Sequence, residues 1–148
     1  MNLAEKVWTV PASRMKGGRE HRVPLSRDAT VILDKLTKGE PEEFVFHGRN
    51  GGSLSTMALL MLLRRMEFGS LTAHGFRSTF RDWAAERTNF QREVAEAALA
   101  HVVGDKVEAA YRRGDLFEKR RRLMAAWGEF ATTTTNDSAD TVVRLSRN

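Results

Sequence analysis

From Ala73 to about residue 130 the chain keeps a helical spacing of apolar residues, and no other feature constrains the fold as strongly. Thr88-Asn89, Gly104 and Gly114 interrupt the pattern, so the stretch reads as successive helices. The last of them presents Leu116, Phe117, Leu123, Met124, Trp127 and Phe130 on one face, with Lys119 and Arg120 to Arg122 interleaved. The chain is therefore expected to be mainly α.

The N-terminal region reads differently. Val7-Trp8-Thr9-Val10 is rich in β-formers and is bounded by Pro11, while His21-Arg22-Val23-Pro24-Leu25 alternates polar and apolar residues. Pro24 marks a strand end or an edge position. Gly17-Gly18 between the runs is a turn signal, so the pair predicts a β-hairpin with Lys16 and Arg19 near its tip. Ser26 then predicts an N-cap, with Asp28 in the first turn and a stripe of Val31, Ile32, Leu33 and Leu36 that Gly39 and Pro41 end. Phe44-Val45-Phe46 predicts a short strand, followed by a polar loop from His47 to Gly52. Ser55 is expected to cap a helix through Leu59–Leu63 and Met66, stopped by Gly69; being apolar on nearly every side, it is expected to be the central buried helix. The fold class is mainly α with a small antiparallel β-sheet (α+β), in one domain over residues 1–131. Residues 132–148, low in complexity and poor in bulky apolar side chains, are expected to form a mobile tail.

Composition removes several function classes. The chain has 148 residues and no cysteine, which excludes disulfide scaffolds, thiol nucleophiles and thiolate zinc sites. No apolar run approaches the ~18–20 residues of a membrane span. The opening MNLAEKVWTV lacks the basic and apolar regions of a secretory signal, so the expected compartment is the cytoplasm. Twenty-four Lys and Arg against 19 Asp and Glu give a charge of +5, which permits a polyanionic partner without specifying one.

The candidate chemistry begins at His74-Gly75-Phe76-Arg77-Ser78-Thr79-Phe80-Arg81-Asp82-Trp83. On a helix, Phe76, Phe80 and Trp83 are expected to face the core, and His74, Arg77 and Arg81 to share another face. A His and two Arg in the first turns of a helix can seat a phosphate, because free backbone N–H groups and the positive dipole end add to the side-chain donors. Spacing alone also describes a solvated basic face. Leu99-Ala100-His101 closes a helix of small and apolar residues, and Tyr111, the only tyrosine, follows ten residues later. A tyrosine can attack phosphorus when its phenol loses its proton in the transition state. With an ordinary pKa of ~10, that requires cationic neighbours or a base.

In this order the pieces resemble the tyrosine recombinase family, specifically the C-terminal catalytic domain of phage and genomic-island integrases. Lys16 matches the family's hairpin lysine, HGFR its His-x-x-Arg box, Leu99-Ala100-His101 its Leu-Gly/Ala-His box, and Tyr111 lies at the expected distance. The flanking VPASRMKGGREHRVPLS, FVF, LTAHGFR and AAY extend the resemblance over about residues 5 to 130. It implies cleavage of one strand of double-stranded DNA at an attachment site through a 3′-phosphotyrosyl bond, then rejoining to a partner strand. It implies Tyr111 as nucleophile, Arg77 as phosphate clamp, His74 and His101 as hydrogen-bond donors or proton carriers, and Lys16 as general acid to the leaving 5′-oxygen. Arg19 and Arg81 are the further DNA-binding candidates. The implied partners are DNA and other integrase protomers, with no metal, no small-molecule cofactor and no membrane.

One family element has no match. The Thr-Gly-x-Arg-x-x-Glu box that precedes the hairpin in the family is not found, and Arg14 lies too close to Lys16 to substitute for its arginine. The chain is accordingly expected to be an N-terminally truncated portion of an integrase, with weak, salt-sensitive DNA binding and little recombination alone. Apolar surface at Leu59 to Leu63 or around Trp83 is expected to be left uncovered and to favour self-association. The alternatives are an inactive DNA-binding or oligomerisation remnant, or a helical regulator reading a DNA groove; the latter does not need Tyr111 and His101 at their observed separation.

Overall fold

Strands β1 (Val7–Val10) and β2 (His21–Pro24) pair antiparallel, with Val7 opposite Pro24 and Val10 opposite His21. The connection makes a 3-10 turn at Ala12–Arg14 and then passes through Gly18, whose φ of +62° suits a residue without Cβ. Lys16 and Arg19 fall in this connection, and Pro24 ends its strand with a buried side chain, as the sequence predicts. The computed structural model describes residues 1–36, 44–48, 50–101 and 114–133. Gly39, Pro41, Gly104, Tyr111 and the predicted tail from residue 134 onward lie outside the described residues.

Helices α1 (Arg27–Leu36), α2 (Ala58–Arg65), α3 (Gly75–Glu86), α4 (Arg92–Ala98) and α5 (Phe117–Thr132) complete a mainly α fold with a small antiparallel sheet. The start of α1 is built as predicted: the Ala29 N–H donates to Ser26 Oγ at 3.2 Å, which satisfies one of the free first-turn donors. Among the described residues, no helix is long and apolar enough to cross a membrane.

The core lies between α3, α4 and α5. Phe80, Trp83 and Ala84 of α3 meet Val94 and Ala95 of α4 and Leu123 of α5, with Phe90 and Trp127 packed against them. Trp127 stands edge-on to Phe80 at 5.4 Å, and Phe130 stacks on Trp83 at 5.5 Å between ring centroids. Such pairs add to the burial of large rings, so this aromatic group is the main apolar anchor of the chain. The Trp83 face is therefore covered.

Helix α5 also packs on α1 and β2. Where α5 crosses the start of α1, a Cβ on Gly128 would stand 2.6 Å from Ser26 Cβ, so only glycine admits this approach. At the other end of α5, the buried Arg120 guanidinium donates to the Asp115 carbonyl at 2.7 Å, to Asp115 Oδ2 at 3.0 Å and to the Arg22 carbonyl at 2.6 Å. Arg22 itself pairs with Asp115 Oδ2 at 2.7 Å, so a charge that would be costly alone is paired and hydrogen-bonded where α5 meets the hairpin.

Four expectations are corrected. Helix α2 is not central: only Leu63 is buried, Leu59 is 55% exposed, and Met61 and Leu62 are also exposed. Its run from Ala58 to Leu63 would need neighbours on several sides, and among the described residues only Leu63 is buried. Its start lies at Ala58, to which Ser55 offers its backbone carbonyl rather than its hydroxyl (3.0 Å), and it ends at Arg65, before a left-handed Glu67, rather than at Gly69. Phe44-Val45-Phe46 forms no strand; among the described residues the only pairing there is an isolated bridge between His47 and Ser53, and both phenylalanines are exposed. Phe76 is 54% exposed, because the core is built from the later turns of α3, at Phe80, Trp83 and Ala84.

Candidate functional site

The first turn of α3 is prepared by Thr72, whose Oγ1 accepts the Gly75 N–H at 3.0 Å. His74 stands at the helix start with an exposed ring that makes no capping bond. One turn on, Arg77 crosses to the neighbouring helix, and its Nη2 donates to the Leu99 carbonyl at 2.5 Å. That carbonyl belongs to the C-terminal end of α4, where unpaired C=O groups concentrate partial negative charge and favour a guanidinium.

The end of α4 is a Schellman turn. The Ala100 N–H bonds to the Ala97 carbonyl at 3.2 Å, and the His101 N–H reaches back to the Glu96 carbonyl at 2.9 Å. Ala100 sits at φ +54°, the left-handed position that glycine usually takes in this motif. The turn puts His101 directly past the helix end, two residues after the carbonyl that Arg77 reaches.

Beneath this surface lies Glu96, 7% exposed. Its Oε1 accepts from Arg81 Nε at 2.9 Å, with Arg92 Nε at 3.7 Å, and its Oε2 lies 2.5 Å from His101 Nδ1. Burial alone would raise its pKa, but the His101 hydrogen bond and the Arg81 charge together hold the carboxyl below its ordinary value. One carboxylate thus joins a residue from the His-x-x-Arg helix to the histidine after α4. Sequence reading passed over Glu96; its only signal was an acid among alanines, five positions before His101.

Arg77, Arg81 and His101 are therefore gathered where α3 meets the end of α4, with His74 one turn before Arg77. Lys16 and Arg19 are exposed in the β1–β2 connection, and neither side chain forms a hydrogen bond or ion pair with another described residue. The stem of that hairpin does reach the site, since the partly buried His21 bonds to the backbone of Ala98. Burial and then the charge of Arg120 lower the His21 pKa, against the opposing effects of the Ala98 bond and Asp115. Tyr111 lies outside the described residues, between His101 and Asp115 in the chain. Among the described residues, no group of three or more His, Asp or Glu side chains is placed to hold a metal ion.

Comparison with known proteins matches residues 1–115 to the phage integrase family. Prophage integrase IntA of Escherichia coli (strain K12) is 36% identical over 135 residues, covering 88% of this chain and 32% of that protein. Prophage integrase IntZ of the same strain is 35% identical over 132 residues, covering 87% and 33%. The integrase of Shigella phage Sf6 is 30% identical over 135 residues, covering 88% and 35%. The chain spans about one third of the length of these relatives. No solved structure matches it. The matched stretch contains the hairpin, the His74–Arg77 helix, the α4 end and Tyr111, and the chain belongs to the phage integrase family.

Proposed function

We propose that this chain carries a DNA strand-breaking and rejoining site of the tyrosine recombinase kind, acting in site-specific integration. The observation that carries the reading is the bond from Arg77 to the Leu99 carbonyl, two residues before the Glu96-held His101, with His74 at the start of α3. A phosphodiester transition state gathers negative charge on its non-bridging oxygens, and fixed cationic donors stabilise that charge without reorganising. Arg77 has one donor committed to Leu99, and the rest of its planar fork suits two phosphate oxygens.

In this reading the Tyr111 oxygen attacks the scissile phosphorus, and an O–P bond forms as the bond to the 5′-oxygen breaks. The phenol passes its proton to His74 or His101, and Lys16, on the exposed hairpin connection, delivers one to the leaving 5′-oxygen. A 5′-hydroxyl from a partner strand reverses the step, so bond energy is kept in the phosphotyrosyl linkage. Double-stranded DNA is the substrate, other protomers supply the partner strands, and Arg19 and Arg81 are further contacts to the DNA backbone.

No residue of this chain matches the family's Thr-Gly-x-Arg box, and one missing donor to developing charge typically costs ~10²–10³ in rate. Cleavage by the chain alone is therefore slow, and DNA binding is weak and salt-sensitive. The exposed apolar side of α2 supports a second reading, a DNA-binding or oligomerising element without cleavage. The deciding experiment incubates the chain with a nicked suicide duplex and looks for an SDS-resistant protein–DNA adduct. The account predicts a slowly accumulating adduct that disappears in Tyr111→Phe. Adduct formation that survives Tyr111→Phe contradicts it; DNA binding with no adduct over long incubation favours the second reading.

A further inference from the structure

Glu96 has no role in the mechanism just described, yet it is the most constrained ionic group of the α3–α4 surface. Its side chain is buried, and both of its oxygens are occupied by groups from the candidate site. His101 is bound to it twice, by the backbone N–H to the Glu96 carbonyl at 2.9 Å and by Nδ1 to Oε2 at 2.5 Å. The first bond fixes where the residue stands; the second fixes how its ring is turned. Arg81 approaches the other oxygen from α3, so the same carboxylate ties the helix that carries His74 and Arg77 to the turn that carries His101.

We propose that Glu96 is a positioning residue for the site, holding the His101 imidazole with its proton on Nδ1 so that Nε2 faces the substrate phosphate. An ionised carboxylate is acceptor-only, so the ring nitrogen against it must carry the hydrogen. Nε2 is then the nitrogen left to accept the phenol proton and, once the ring is protonated, to donate to a phosphate oxygen. The Arg81 bond keeps the carboxylate from swinging away, which gives Arg81 a place in the site that needs no contact with DNA. The catalytic consequence rests on the phosphoryl-transfer reading above, whereas the hold on the ring does not.

The test separates the two. In the full 148-residue chain labelled with ¹⁵N, long-range ¹H–¹⁵N spectra of the imidazoles at alkaline pH report which nitrogen of each neutral ring is protonated. The proposal expects the His101 proton on Nδ1 in the wild-type chain, a result that needs no variant to fold. In Glu96→Ala, checked for folding by near-ultraviolet circular dichroism, the His101 signals are expected to move to those of a free ring, with Nε2 protonated. Arg81→Ala, which keeps the carboxylate, is expected to leave the proton on Nδ1. A wild-type His101 protonated on Nε2, or a folded Glu96→Ala with unchanged His101 signals, overturns the proposal. With the suicide duplex, Glu96→Ala is expected to slow adduct formation by up to ~10²-fold, the effect of misplacing a catalytic group by about 1 Å. An unchanged rate in a folded Glu96→Ala overturns the positioning role. If the wild-type chain forms no adduct, the phosphoryl-transfer reading fails, and the imidazole spectra still decide whether Glu96 holds the ring.

Discussion

Helices α2 and α3 stand one loop apart, and the more apolar of the two is the less buried. In α2, Ala-Leu-Leu-Met-Leu-Leu-Arg-Arg hides only Leu63, whereas the mixed sequence of α3 buries Phe80, Trp83 and Ala84. The difference is one of partners. Helix α3 buries one stripe against α4 and α5, whereas α2, apolar from Ala58 to Leu63, buries only Leu63. Burial follows the geometry of neighbouring surfaces, and the number of apolar residues in a segment only sets what could be buried. The candidate site follows the same division, since Arg77, Arg81, Glu96 and His101 all lie on the well-packed side.

The comparison is most directly broken by truncating one side chain on each helix. Trp83→Ala is expected to destabilise the chain by ~3–5 kcal/mol and Leu59→Ala by no more than about 0.5 kcal/mol, read from urea denaturation. Equal losses would mean that α2 has a covering surface in solution. A smaller effect is expected at the α1–α5 crossing, where Gly128→Ala pushes a methyl group into Ser26 and disturbs the α1 cap. Overpacking of this kind costs ~1–3 kcal/mol, and an unchanged denaturation midpoint would show that the helices can separate freely.

Acid should weaken the packed side in two stages. His21 has its pKa lowered from 6.5, and Glu96 and Asp115 have theirs lowered from 4.5 and 3.8. In each case the unfolded chain binds protons at a higher pH than the folded one, so stability is present above the unfolded value and is lost as pH falls below it. The loss is expected to begin below pH 6.5 through His21 and to steepen below 4.5 through Glu96 and below 3.8 through Asp115. Denaturation midpoints across this range check it; His21→Phe should flatten the upper stage and leave the lower one. The smallest effect sharpens the account of the α4 end. Ala100→Gly relieves a left-handed alanine and is expected to stabilise the chain by about 1 kcal/mol, and a loss of stability would contradict the Schellman geometry.

Much of this was legible in the residues themselves. The Gly17-Gly18 turn between two β-rich runs announced the hairpin, Ser26 announced the start of α1, and the spacing of Phe80 and Trp83 announced the buried face of α3. The His74–Arg77 and Leu99–His101 segments stood out because their residue types and order are unusual together. Other features depend on contacts between distant segments, which local patterns do not encode. Phe44 to Phe46 had strand-forming residues but found no strand to pair with, and Phe76 kept the helical period but fell on a turn the core does not reach. Arg120 read as one of three arginines interleaved along the last helix, and its burial against Asp115 and the Arg22 carbonyl became visible only with the hairpin folded over α5. Glu96 was missed for the same reason, since its meaning lies in Arg81 and His101 arriving from opposite sides.

The claim on which the account turns is that the α3–α4 junction seats a DNA phosphate. Titrating the ¹⁵N-labelled chain with a short DNA duplex at low salt, while following backbone amides and imidazole rings, tests it most directly. The account predicts that the largest shifts fall on His74, Arg77 and His101, with α1 and the exposed side of α2 unmoved. Shifts concentrated on α1 or α2, with the His101 ring unperturbed at saturating DNA, would contradict it.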